Sequence, residues 1–117
     1  MSDKNCIFCK IIAGEIPSNK IYEDDKILAF HDINPVAPVH ILIIPKTHIK
    51  SLNDIEINGG NIEYVSRIFE KIPEIALDLK IAAAGYRVVS NIGENGRQSV
   101  DHLHFHVIGG RKLNWSF

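Results

Sequence analysis

The sequence predicts an α+β fold: a mainly antiparallel sheet of about five strands, one short N-terminal helix and one long helix. Three observations point there. Apolar residues recur at three- and four-residue steps from Ile62 to Leu79, which is one long amphipathic helix. The β-prone runs are all short. The connections between them are of hairpin length, so neighbouring strands run antiparallel.

The elements follow in order. Ile7, Phe8, Ile11 and Ile12 have helical spacing, and Gly14 is a natural stop. Lys20 to Glu23 and Ile27 to Phe30 read as two strands around the turn Asp24-Asp25-Lys26, and His31 to Pro35 leaves the second as a loop. Val39 to Ile44 is strongly β-prone and ends at Pro45. The long helix covers about 61 to 80, with a kink expected at Pro73, which lacks the N–H that would bond the preceding turn. Tyr86 to Asn91 is a strand, Gly93 to Arg97 a glycine-bearing loop, and Leu103 to Ile108 the last strand.

A chain of 117 residues with 45% apolar content suits a single domain spanning 1–117, with a core that needs no disulfide. Fourteen acidic and 13 basic residues give a net charge of −1. There is no basic stripe of the kind that binds long nucleic acid. Residues 1–5 are polar, and the longest apolar run, Val39 to Pro45, contains His40 and is too short to cross a bilayer. A cytoplasmic protein with no membrane association is expected. In that reducing compartment the pair Cys6-x-x-Cys9 reads as a metal or redox site before a structural disulfide.

His102, His104 and His106 fall at alternate positions, so on a strand they share one face while Leu103, Phe105 and Val107 enter the core. A single ion held by all three is disfavoured. At about 3.3 Å per residue the outer two Cα atoms lie about 13 Å apart, whereas metal–nitrogen bonds are about 2 Å. The three therefore have separate tasks. Imidazole suits phosphorus chemistry, because a neutral nucleophilic nitrogen is available at physiological pH and attack gives a covalent phospho-histidine. Backbone N–H groups around Gly96 to Ser99 are placed to neutralise phosphoryl charge.

The run His102-Leu103-His104-Phe105-His106-Val107-Ile108 resembles the motif of the histidine triad (HIT) superfamily. Ile7-Phe8, Lys10-Ile11-Ile12, Glu15-Ile16-Pro17, Ala29 to Ile33, Ala37-Pro38-x-His40, Ile44-Pro45-Lys46, Gln98-Ser99-Val100 and Gly109-Gly110-Arg111 are similar to its Hint branch, in the same order and spacing. The resemblance implies a HIT-like fold. It also implies a homodimeric hydrolase or nucleotidyl transferase acting on purine nucleoside 5′-phosphoramidates, with no cofactor needed for catalysis.

By that resemblance His104 is the nucleophile, His106 contacts the phosphate, His40 is the fourth histidine of the site and Ser99 helps protonate the leaving amine. Asp32 binds the ribose; read alone it is a turn residue before Asn34-Pro35. Ile7, Phe8, Ile11, Phe30, His31 and Ile33 form an apolar slot for the purine, and Asn91 and Gln98 lie on the phosphate or leaving-group side. The aromatic tail Leu113 to Phe117 packs either near the partner's site or on its own subunit. Cys6 and Cys9 resemble the zinc ligands of some bacterial HIT proteins and of galactose-1-phosphate uridylyltransferases. The matching set is Cys6, Cys9, His48 and His102, a closed Cys2His2 site that would hold structural zinc. Two positions depart from the Hint pattern. Arg97 stands where a glycine is usual, and could contact phosphate or close the leaving-group side. Asp101 stands in place of an aromatic, and could orient His102.

Other readings share these features: a dinucleoside polyphosphate hydrolase or nucleotidyltransferase, a non-catalytic AMP sensor or scaffold, and a zinc-dependent interaction module.

Overall fold

The computed structural model describes residues 3–56 and 58–116; Phe117 of the aromatic tail lies outside them. Five strands form one sheet: β1 (Lys20–Glu23), β2 (Ile27–His31), β3 (Val39–Pro45), β4 (Tyr86–Val89) and β5 (Phe105–Gly109). Their order is β1-β2-β3-β5-β4, and every neighbouring pair is antiparallel. Helix α1 (Ile7–Ile12) and helix α2 (Ile62–Asp78) complete the α+β fold, with a 3-10 turn at Leu52–Asp54 that the sequence pattern does not announce.

The sheet is covered on both faces. On one, Val65, Ile68, Ile72, Ile75 and Ala76 of α2 pack with Ile27, Ala29, Ile41, Ile43, Phe105 and Val107. On the other, Cys6, Phe8, Cys9 and Ile11 pack with Leu28, Phe30, Leu42 and Ile44. Successive residues of β2 and β3 thus serve opposite layers. This is why both strands are buried almost throughout instead of alternating between core and water. Each such side chain contributes roughly 1.5–3 kcal/mol.

Six residues are too few for a helix stable by itself, and α1 depends on its ends and its packing. At its start the Cys6 thiol accepts the Cys9 N–H at 3.3 Å. At its end Gly14 takes φ +81, Gly14 N–H donates to the Ile11 carbonyl and Glu15 N–H to that of Lys10, which satisfies the last turn. Helix α2 continues through Pro73 to Asp78 as one element. It is tied to the β1–β2 turn by Arg67, whose Nε donates to Asp24 at 2.8 Å; the same carboxylate accepts the backbone N–H groups of Lys26 and Ile27. Among the described residues no helix is long and apolar enough to cross a membrane.

The strand ends differ from the sequence expectation at the site itself. β4 stops at Val89, not Asn91, and β5 begins at Phe105, not Leu103. The register sets Ile43 opposite Phe105, so Leu103 falls opposite Pro45, which has no N–H to share. Ser90 leaves the ladder and donates its hydroxyl to the His104 carbonyl at 2.8 Å. Leu103 N–H donates instead to the carbonyl of Ile49. His102, in a bend, and His104 thus precede β5, and of the three only His106 is in the sheet.

Candidate active site and metal centre

The alternation nonetheless holds. Leu103, Phe105 and Val107 point into the core beneath α2. The three histidines face the α1 side, where His102 and His104 are buried and His106 is half-buried. Phe8 of α1 stands edge-on to two of them, 5.8 Å from the His102 ring and 5.1 Å from that of His104.

Each imidazole has a different partner, and the partner fixes where its proton sits. His104 Nδ1 lies 2.7 Å from the His102 carbonyl oxygen. A carbonyl only accepts, so Nδ1 carries the proton and Nε2 keeps a lone pair. His40 Nδ1 accepts the Val36 N–H at 3.2 Å, so the proton of neutral His40 is on Nε2, 2.8 Å from His106 Nδ1. Two N–H groups cannot face each other, so His106 Nδ1 accepts and its own proton is on Nε2. One imidazole thus offers a lone pair and its neighbour, 5.1 Å away between ring centres, offers a donor.

Burial keeps these groups uncharged. It pushes His104 and His40 below the ordinary imidazole range. It takes His106 down to about 4, helped by the neighbouring His104 and His40. Asp32 has a double position: Oδ1 accepts the Asn34 N–H at 2.9 Å, closing the turn, while Oδ2 lies 3.3 Å from His40 Nε2.

A cavity of about 260 Å3 opens over this face. Its lining includes ten of the sequence-predicted residues: Ile7, Phe8, Ile11, Phe30, His31, Asp32, Ile33, Ser99, His104 and His106. His40 stands behind His106 and does not line it. Asn91 and Gln98 do not line it either. Asn91 Nδ2 donates to the Gly96 carbonyl at 2.7 Å. Gln98 spans three segments, accepting the Gly93 N–H and donating to the carbonyls of Lys50 and Val100. Both brace the 93–98 loop that presents Ser99. Sequence reasoning missed Ile16, Pro17, Ser18, Leu42 and Val100. Leu42 was within reach, since it sits two residues beyond His40 on the same strand face. A larger cavity of about 630 Å3 shares Ile7, Ser99 and Val100 with the first and extends past them to Asp3, Lys50 and Asp101.

On the other side of Phe8, one donor atom from each of Cys6, Cys9, His48 and His102 gathers within 4.8 Å of the rest. His102 Nδ1 lies 3.2 Å from Cys6 Sγ and 3.5 Å from Cys9 Sγ, and His48 Nδ1 lies 3.3 Å from Cys9 Sγ. Ligand atoms around a tetrahedral zinc would be about 3.6 Å apart for a sulfur–nitrogen pair. The donor chemistry fits too. His102 Nε2 donates to the Pro45 carbonyl at 2.9 Å, which leaves Nδ1 unprotonated toward the thiols. Burial takes His102 down to about 4 and raises the Cys6 thiol. The Pro45 carbonyl, not Asp101, orients His102; Asp101 lines the larger cavity. Arg97 is exposed and lines neither cavity.

Comparison with known proteins places this arrangement. The pattern of the HIT domain matches residues 13–113. An uncharacterized HIT-like protein of Buchnera aphidicola (subsp. Baizongia pistaciae) is 51% identical, the match covering 92% of this chain and 95% of that protein. A 14 kDa zinc-binding protein of Zea mays is 44% identical, covering 98% and 89%. Among solved structures, a histidine triad protein from Clostridium difficile is 50% identical with TM-score 0.92, covering 99% and 100%. A HIT family hydrolase from Clostridium thermocellum is 43% identical with TM-score 0.93, covering 98% of each chain. A histidine triad nucleotide-binding protein from Candida albicans is 38% identical with TM-score 0.80, covering 97% and 84%.

Proposed function

Because this chain belongs to the HIT domain family, we propose that it is a nucleotide-binding hydrolase that cleaves the P–N bond of purine nucleoside 5′-phosphoramidates through a nucleotidyl-His104 intermediate. The observation that carries the reading is the pair of opposite tautomers in one cavity: a lone pair on His104 and a proton on His106. The hydrolase and nucleotide-binding relatives are consistent with it.

In this reading the base enters the slot of Ile7, Phe8, Ile11, Phe30, His31 and Ile33, and Asp32 takes the ribose hydroxyls. His104 Nε2 attacks the α-phosphorus as the P–N bond breaks. His106 Nε2–H donates to a phosphoryl oxygen, where charge grows in the transition state. The departing nitrogen gains a proton delivered from the Ser99 side. Water then cleaves the phospho-histidine bond, releasing the nucleoside monophosphate and restoring neutral His104.

Cys6, Cys9, His48 and His102 would hold a structural zinc ion, and the zinc-binding maize relative is consistent with it. All four positions are filled by protein, so the ion would anchor α1 to the lead-in of β5 and take no substrate. The free thiols suit a reducing compartment such as the cytoplasm. We also assign a homodimer. β4 is an edge strand, α2 exposes Phe69 and Leu77, and Trp115 is 83% exposed in the single chain. The tail runs along its own β4, where Arg87 donates to the Asn114 carbonyl, so Trp115 would meet the partner beyond that edge.

The larger cavity beyond Ser99 favours one second reading, a dinucleoside polyphosphate hydrolase, since it offers room for a bulky leaving group. Both enzymes share the covalent step. Intact-protein mass spectrometry after mixing with an adenosine phosphoramidate should show a transient AMP adduct on the wild type and none on His104→Ala. Bound AMP with neither adduct nor amine release would leave a nucleotide sensor. Comparing the phosphoramidate with a diadenosine polyphosphate then separates the two hydrolases.

A further inference from the structure

We infer that Gly110 and Arg111, outside the cavity, form a latch that sets the tautomer of His106 through Val36 and His40. The inference rests on the proposed phosphoryl chemistry only for its effect on turnover; the latch itself is a matter of hydrogen bonds.

The connection has three links. Arg111 Nη2 donates to the Val36 carbonyl at 3.0 Å. Val36 N–H donates to His40 Nδ1 at 3.2 Å. His40 Nε2 donates to His106 Nδ1 at 2.8 Å. The guanidinium fixes one side of residue 36, and the other side of the same residue supplies the N–H that, together with the Asp32 carboxylate 3.3 Å from Nε2, keeps the His40 proton off Nδ1. Val36 is 59% exposed, so packing holds this residue little, and the backbone bond to Arg111 has correspondingly more to do.

Gly110 supplies the second hold. It takes φ +92, and a Cβ placed there would lie 2.9 Å from Pro38 Cβ and 3.3 Å from Val39 N. The 36–39 segment therefore lies directly against the Gly110 backbone, at a distance that no side chain at 110 would permit. Both residues follow the end of β5, four and five positions after His106. The strand that carries His106 thus also carries the clamp on its distant partner.

Losing the latch frees residue 36, which leaves the Asp32 carboxylate alone to favour the proton on Nε2, and part of the His40 population then carries it on Nδ1. His40 Nε2 would become an acceptor, His106 Nδ1 would have to donate, and His106 would present a lone pair to the phosphate where a donor is needed. Arg111 is a positioning residue in this scheme and touches no substrate.

The test pairs a spectroscopic readout with kinetics on full-length protein. Long-range 1H–15N spectra at pH 7.5 should show His40 and His106 protonated on Nε2 in the wild type. Arg111→Met should show a mixed pattern at both, with kcat for an adenosine phosphoramidate down about tenfold and AMP affinity within about twofold. Arg111→Lys, which keeps a donor, should recover most of the wild-type pattern and rate. Gly110→Ala should mimic Arg111→Met by displacing the 36–39 segment. An unchanged tautomer pattern in Arg111→Met, whatever happens to rate or melting temperature, overturns the latch. If the wild type shows no turnover, the proposed function falls while the spectra still decide the latch.

Discussion

His104 donates its Nδ1 proton to the backbone carbonyl of His102, 2.7 Å away. The ring of His102 faces two thiols while its peptide group holds the proposed nucleophile. The proposed metal site and the lone pair on His104 therefore meet in one residue.

The buried, neutral His104 should keep its nucleophilicity below the usual imidazole titration. The single-turnover rate of adduct formation should stay flat as pH falls through about 6.5, where an exposed imidazole would protonate. It should decline only at lower pH. A half-maximal rate near 6.5 would contradict the assignment.

Stability has the opposite exposure to acid. Folded His106 resists protonation down to about 4, whereas the unfolded chain takes up that proton near 6.5. Its contribution is present in full above about 6.5 and is lost as pH falls toward 4, on the order of 3 kcal/mol. Denaturant unfolding at pH 7.5 and 5 should show the drop, and His106→Asn should make it smaller, with buried His102, His104 and His40 supplying the remainder.

Cys9 approaches both His48 and His102, so Cys9→Ser removes the shared corner of the proposed metal site. Zinc content should fall from one equivalent toward none, with a loss of at least a few kcal/mol of stability. A chelator should lower the wild-type melting temperature and leave the variant unaffected. Turnover should fall together with zinc content, because the His102 carbonyl loses its anchor.

Asp32, His40 and His106 also bring three donor atoms within 4.8 Å, yet they should not take up a second ion. The Val36 N–H occupies His40 Nδ1 and keeps a proton on the nitrogen that would have to ligate. Calorimetric titration of zinc at neutral pH should saturate at one equivalent. A second tight site that disappears in Asp32→Asn would refute this.

Arg97 adopts φ +64, the left-handed region that favours glycine. Arg97→Gly should raise stability by about 1 kcal/mol, measured by denaturant unfolding, with turnover unchanged because the side chain lines neither cavity.

Much of this could be read in the sequence, where a local pattern matched a local cause. The β-branched run of Val39 to Ile44 and the apolar steps of α2 became elements within two residues of their expected limits. Cys6, Cys9, His48 and His102 do converge. The lead-in of His102 to His104 could not be foreseen, because it depends on Pro45 and Ser90 ending the neighbouring strands, and those residues lie far off in the chain. Asn91 and Gln98, expected on the phosphate or leaving-group side, bond the loop backbone, and Gln98 also lines the larger cavity beyond Ser99. The expected role of Asp101 went to the Pro45 carbonyl, a group no sequence motif records.

Cys6 and His102 meet across 96 positions. Drawing such distant points together costs about 4 kcal/mol in loop-closure entropy. On a translating ribosome the first helix is followed early by Leu28, Phe30, Leu42, Ile44 and His48, whereas His102 and His104 arrive near the end. A nascent chain paused before residue 102 carries one wall of the purine slot but neither the fourth metal ligand nor His104. Such a chain should be prone to thiol oxidation and misloading with other metals. The quality of the finished site then depends on how quickly the closing segment follows.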